Sequence, residues 1–400
     1  KQPWSDRCFE TFRGLGHNLG VKPETITPLA PENAFCPNAA CLARGRCGEG
    51  NICVHSQKEQ RFKCRVCQKT FSARKGTPFY RLQRDAAHVT LVLTLLAHGC
   101  PVQAVVAAFG LDERTVRAWL AKGGAHCQAV HEHLVEQPQD LGQVQCDEIR
   151  VKAQRAVLWL AMAICVKTRL WLGAEVSTQR DGTLIERLIQ RVKRCASALG
   201  GPLLFCMDGL ASYPTTIKRI FREKLPRHGE RGRCAFVEWP RLHLVQVVKQ
   251  YEGGRVVGVA RRIYQGSSEV IAAVIKATQG AGDINTAYIE RLNGTFRSCL
   301  GSLARRTRAL TRTSASLQAG AYLVGTVYNL CTEHESLRLP GIIGGRKWIN
   351  RTPAIAAGLA THCWSVKELL SYRVPPPRWR PPKRRGRISA ATKELIKQWG

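Results

Sequence analysis

The sequence predicts an α+β chain built from several modules. Three observations carry that expectation: two cysteine pairs near the start, a helix-turn-helix pattern over residues 102–120, and a later run of three strands, a helix and a strand. At 400 residues the chain is long for one core and suits two or three domains. The expected boundaries are 30–80 for the cysteine module and 85–136 for the helical region. A mixed module follows over 141–335, with a β-rich insertion at about 225–280, and then a C-terminal region over 336–400 with a basic tail.

Charge narrows the partners. Lys and Arg number 61 against 29 Asp and Glu, a formal net charge of +32, and self-repulsion of that size calls for a polyanion such as nucleic acid. The longest apolar stretch, Ala156 to Val166, is too short to span a bilayer, so no membrane insertion is expected. Seventeen cysteines would suggest disulfides in a small secreted domain. A chain of this size with no signal peptide reads instead as cytoplasmic, with reduced thiols. Seven of the cysteines fall within the first 67 residues, whereas Cys100, Cys146, Cys165, Cys195, Cys206, Cys299 and Cys331 sit singly in mostly apolar surroundings.

The first module is the stretch Cys36-Pro-Asn-Ala-Ala-Cys41 and, further on, Phe62-Lys-Cys64-Arg-Val-Cys67-Gln-Lys-Thr-Phe71. Two cysteine pairs on tight turns can set four thiolates tetrahedrally around Zn2+, the pattern of a zinc ribbon. Four protein ligands leave no open position, so such a zinc ion stabilises and does not catalyse. Cys47, Cys53 and His55 lie between the pairs and stand as replacements for one ligand or as members of a second, partial site.

Asp85 to about Glu136 reads as helical, interrupted at Gly99-Cys-Pro101 and at Gly110. In the second part Asp112 is a candidate N-cap, and Val116, Trp119 and Leu120 give an apolar face at i, i+3 and i+4 spacing. Arg114, Arg117 and Lys122 lie opposite, the layout of a helix-turn-helix whose second helix enters the major groove.

Beyond Leu141 the pattern changes. Val144 to Val151, Val157 to Cys165 and Leu170 to Val176 alternate or run apolar as strands, and Asp181 to Leu199 carries the helical stripe Leu184, Leu188, Ile189 and Val192. Leu203 to Met207 is a short buried strand that ends in Asp208-Gly209. Three strands, a helix and a strand in this order match a ribonuclease H-like core. Between Phe236 and Val259, Val245-Gln-Val-Val-Lys and Arg255-Val-Val-Gly-Val read as strands of an insertion.

Phosphodiester chemistry needs an activated nucleophile, a stabilised leaving oxygen and neutralised phosphate charge. Two Mg2+ or Mn2+ ions about 4 Å apart supply all three, and hard oxygen ligands hold them. Asp147 inside the first strand and Asp208 at the end of its expected neighbour are candidate ligands. Glu290 is the third, on a helix with Ile289, Leu292, Phe296, Leu300 and Leu303 inward and Glu290, Asn293 and Arg297 on an adjoining face. Glu238 is its rival but lacks a helical setting. Glu148 should point to the opposite strand face as a structural partner, and Glu175, Glu186 and Asp283 read as surface or capping groups.

These residues resemble a known family. The cysteine pairs with Lys69-Thr-Phe-Ser72, Gly76-Thr-Pro78, Asp147-Glu148, Asp208-Gly209, Asn285-Thr-Ala-Tyr-Ile-Glu290-Arg-Leu-Asn293, Tyr328-Asn329 and Thr352-Pro-Ala to Gly358-Leu359 look like a bacterial insertion-sequence transposase of the DDE superfamily, close to the insertion-sequence-one-like group. The likeness spans about residues 36 to 377 and is most specific around Glu290. It implies a magnesium- or manganese-binding triad of Asp147, Asp208 and Glu290. It also implies recognition of terminal inverted repeats by the zinc and helix-turn-helix modules, double-stranded target DNA as a second substrate, a homodimer or larger synaptic assembly, and a nucleoid-associated location.

Asn293, Arg297, Arg305 and Arg306, with Arg308 and Arg312, would meet DNA phosphates beside the triad. Arg373 to Arg387 holds seven basic and no acidic residues among prolines, which suits an extended arm along DNA or an unstructured tail. A non-catalytic DNA-binding regulator and a plain metal-dependent endonuclease are the alternatives; the presence of all three carboxylates favours an enzyme.

Overall fold

A computed structural model describes residues 29–225, 234–343, 346–381 and 389–399. The chain divides into two compact units: Lys1–Asp85 with Ser371–Gly400, and Ala86–Leu370.

In the first unit, β1 (Ile52–Ser56), β2 (Arg61–Cys64) and β3 (Thr70–Ser72) form a three-stranded antiparallel sheet. Its small core is Ala34, Cys36, Cys41, Ala43, Ile52, Phe62, Cys64 and Phe71. Among the described residues this core is small, and small modules commonly gain stability from a crosslink or a bound metal. Part of the expected basic arm lies against this module. Arg373 donates to the Asn33 carbonyl at 2.8 Å and stacks over the Phe35 and Phe62 rings, and Arg378 lies 3.7 Å from Glu49. Residues 382–388, which carry four of the arm's basic side chains, lie outside the described residues.

The second unit begins with α1 (Ala86–Ala97), α2 (Val102–Phe109) and α3 (Glu113–Leu134). Gly110 ends α2 at φ 59°, a left-handed conformation that glycine adopts without strain, and Asp112 caps α3 by accepting from the Arg114 and Thr115 amides. Val116 and Trp119 are buried, while Arg114 and Lys122 are exposed. Arg117 departs from expectation. It bonds Glu113 at 2.6 Å, and Glu113 also holds Arg312, so Arg117 faces the protein and is half-buried instead of standing on the open face.

A six-stranded mixed sheet forms the centre. In chain order its strands are β4 (Gln143–Lys152), β5 (Val157–Cys165), β6 (Trp171–Ser177), β7 (Leu203–Asp208), β10 (Leu242–Glu252) and β11 (Arg255–Gln265), with spatial order β11-β10-β7-β4-β5-β6. The pairs β4–β7 and β7–β10 are parallel and the others antiparallel. One face packs on α4 (Gly182–Cys195) and α5 (Ser212–Ile220) through Leu184, Leu188, Ile189, Tyr213 and Ile217. The other packs β7 and β10 on α6 (Ser268–Gln279) through Leu204, Cys206, Val245, Ile271, Val274 and Ile275.

The stretch expected as an insertion is therefore divided. Only β8 (Arg222–Leu225) and β9 (Ala235–Glu238) form a separate ribbon, whereas β10 and β11 extend the main sheet. Leu244 and Val245 are buried on opposite faces, against the two different cores, which makes β10 an interior strand.

Two longer helices follow, α7 (Ala287–Cys299) and α8 (Ser314–Cys331). A Cβ on Gly124 would meet Ala319 at 2.3 Å and one on Gly325 would meet the Trp171 ring at 2.4 Å, so glycine permits α8 to press on both α3 and β6. Asn329, fully buried, accepts from the Trp171 amide and donates to its carbonyl, which satisfies the backbone of that one residue at the start of β6. Glu175 is not a surface group: with Glu132 and Glu136 it binds the buried Arg191. Among the described residues, no helix is long and apolar enough to cross a membrane.

Candidate metal centres

In the first unit the sulfurs of Cys36, Cys41, Cys64 and Cys67 all lie within 4.8 Å of one another. The Cys36–Cys67 and Cys41–Cys64 separations are 3.7 and 3.8 Å. A tetrahedral zinc ion with Zn–S bonds of about 2.3 Å has sulfur–sulfur edges of about 3.8 Å, so the four thiols suit that ion in number, chemistry and spacing. Burial pushes the Cys36 and Cys41 thiols up. Burial acts upward on Cys67 as well, but the Lys69 amide and the Asn38 side chain bring it down to about 7. A bound cation would reverse the upward shifts by stabilising thiolates. The alternative ligands lie outside this cluster: Cys47 donates to the Glu32 carbonyl, Cys53 to the Lys63 carbonyl, and His55 is exposed.

The second candidate centre lies in the other unit, in a cleft of about 700 Å³. Strand register builds it. β4 and β7 are parallel neighbours with Cys146 opposite Met207, so Asp147 and Asp208 come next, side by side. The cleft is lined by Asp147, Asp208, Glu290, Asn293, Arg180 and Lys249, with Arg297 and Arg305 also at its wall. Glu238 does not line it and pairs instead with Arg222 at 3.3 Å. Arg306 is exposed on the surface nearby in sequence.

Each carboxylate has its own support. Asp147 accepts from the Glu148 amide at 2.9 Å and from Asn293 Nδ2 at 2.7 Å. Asn293, expected to meet DNA, is thus buried and turned to the carboxylate, and its Oδ1 is buried with no hydrogen-bond partner among the described residues. Asp208 accepts from the Leu210 amide at 3.0 Å and from Arg180 at 2.9 Å. Glu290 accepts from Thr286 at 3.0 Å and from Lys249 at 2.5 Å.

Glu148 does more than its place in the sequence suggests. It does turn from the cleft, but its side chain is fully buried, and an oxygen of it lies within 4.8 Å of oxygens of Asp147 and Asp208. One carboxylate oxygen accepts from Tyr213 and the other from Arg180. Burial raises Asp147 to about 6, with the charges of Asp208 and Glu290 adding to the rise. Burial raises Glu148 to about 7, with Asp208 adding and Tyr213 and Arg180 opposing. Crowded acidic oxygens beside an unsatisfied amide oxygen suit a hard divalent cation, which takes oxygen ligands and relieves their repulsion.

Neither a scan against protein-family models nor a search of curated proteins returns a match for this chain.

Proposed function

We propose that the chain is a DDE-type transposase that cuts phosphodiester bonds at the ends of a mobile DNA element and joins the freed 3′ ends to target DNA. The reading takes the central sheet with α4, α5 and α7 as a ribonuclease H-like core, the cysteine module as a zinc ribbon, and α2–α3 as a DNA-reading helix-turn-helix. One observation carries it: Asp147 and Asp208 lie side by side at neighbouring parallel strands, with Glu290 from a helix lining the same cleft.

Asp147, Asp208 and Glu290 would hold Mg2+ or Mn2+, which when bound would polarise the phosphodiester and sharpen water or a 3′ hydroxyl as nucleophile. Asn293 fixes the rotamer of Asp147 through its 2.7 Å bond, as a supporting group does for a ligand. Arg297 and Arg305 at the cleft wall would take the phosphates that flank the cut, and exposed Arg114 and Lys122 would meet DNA at α3. Since two element ends react together, a homodimer or larger assembly is the working species. Coordination of Zn2+ by the four thiolates would hold the DNA-binding module folded.

The test is cleavage and strand transfer on DNA bearing the element's ends with Mg2+, comparing native chain with Asp208→Ala. The reading expects both reactions to fall at least about 100-fold while DNA binding stays. Cleavage without joined products would move the assignment to an endonuclease, and an inactive native chain that still binds the ends would move it to a regulator.

A further inference from the structure

Arg180 occupies a position where a cation belongs. It sits on an exposed bend between β6 and α4, yet its guanidinium reaches inward to three carboxylate contacts. Its Nε lies 3.0 Å from Glu148 Oε2, and one terminal nitrogen lies 2.8 Å from that oxygen and 2.9 Å from Asp208 Oδ2. The same nitrogen therefore bridges two acids whose oxygens are already close. Lys249 pairs with the single carboxylate of Glu290 at the same cleft. Carboxylates crowded to this distance repel unless a positive charge lies between them, and in the structure these side chains provide it.

The two contacts of Arg180 are unlike. Glu148 is enclosed, with both oxygens bonded and its side chain shut from solvent, so it is a fixed anchor and not an open metal ligand. Asp208 is about one-third exposed and faces the cleft. A half-open ion pair of that kind is weak and exchanges readily. The bend that carries Arg180 is exposed, and the guanidinium also lies 5.3 Å from the centre of the Trp159 ring, a face on which it can rest after leaving Asp208.

We propose that Arg180 is a positioning residue that stands in for a divalent cation at Asp208. It holds the carboxylates together before metal arrives, yields Asp208 to the metal, and stays tethered by Glu148 with its outer nitrogens turned to the DNA phosphate. This rests on the metal-dependent reading of the cleft. It adds an exchange between an internal cation and an external one, which makes metal loading at Asp208 a competition.

The experiment measures Mn2+ affinity by calorimetry or electron paramagnetic resonance on the full chain without DNA at about pH 8, so that it reads binding and not turnover. The variants are Arg180→Gln and the double Glu148→Gln/Arg180→Gln, the latter removing the buried pair together so that Glu148 is not left unpaired. Competition predicts that both variants bind Mn2+ roughly threefold tighter than native, the size of a lost half-exposed ion pair, although both cleave DNA more slowly. A residue that merely shapes the site would give the opposite sign. Equal or weaker Mn2+ binding by both variants, with native binding intact, overturns the exchange and leaves the metal site standing. Native chain that binds Mn2+ no better than Asp208→Ala overturns the metal site and the exchange with it.

Discussion

Asp147 and Glu148 are adjacent in sequence and do different work because a strand sends successive side chains to opposite faces. Asp147 opens to the cleft, whereas Glu148 is enclosed by Tyr213 and Arg180. Burial holds both carboxyls above their ordinary values, at about 6 and about 7. The folded chain without metal therefore keeps protons that the unfolded chain has released, and the stability these groups contribute is full below about pH 4 and lost as pH rises through 6 and 7. A divalent cation at the cleft needs Asp147 ionised and offsets the repulsion among the cleft carboxylates. Added Mn2+ should thus raise the melting temperature clearly at about pH 8 and little at about pH 5.5, as read by calorimetric scans. An equal rise at both pH values would place the metal away from these carboxylates.

At the scale of elements, β4 to β7 and the helix between them were legible because buried strands and amphipathic helices write themselves in apolar periodicity. The four cysteines were legible because ligand spacing is local. The extent of the insertion was not legible, for a physical reason: Val245 to Lys249 alternates as a strand would anywhere, and its partner, β7, is chosen by tertiary packing. The Glu148–Arg180 link and the burial of Glu175 against Arg191 were hidden in the same way, since each joins residues distant in sequence. The half-buried place of Arg117 was hidden because helical phase reports a face and not what covers it. The cysteine module carries its own prediction. With a core of so few residues, removal of zinc by a chelator should unfold β1–β3, seen as loss of amide protection over residues 29–85, and metal analysis should find one zinc per chain before treatment. Unchanged protection after the metal is removed would show that packing alone folds the module.

At the scale of the whole molecule, a net charge of +32 sits on a chain in which one cleft gathers the acids Asp147, Asp208 and Glu290. The opposition is resolved if the positive surface gathers DNA and the acids gather cations, so that one phosphate meets both at the cleft. That claim is tested most directly by cleavage of an element end in which sulfur replaces a non-bridging oxygen at the cut phosphate. Mg2+ favours oxygen over sulfur, whereas softer Mn2+ accepts both. The account predicts that the sulfur substrate is cut poorly with Mg2+ and that Mn2+ restores much of the loss, with no restoration in Asp147→Asn. Equal cutting of both substrates with Mg2+, or a loss that Mn2+ does not repair in the native chain, would contradict metal contact at the reacting phosphate.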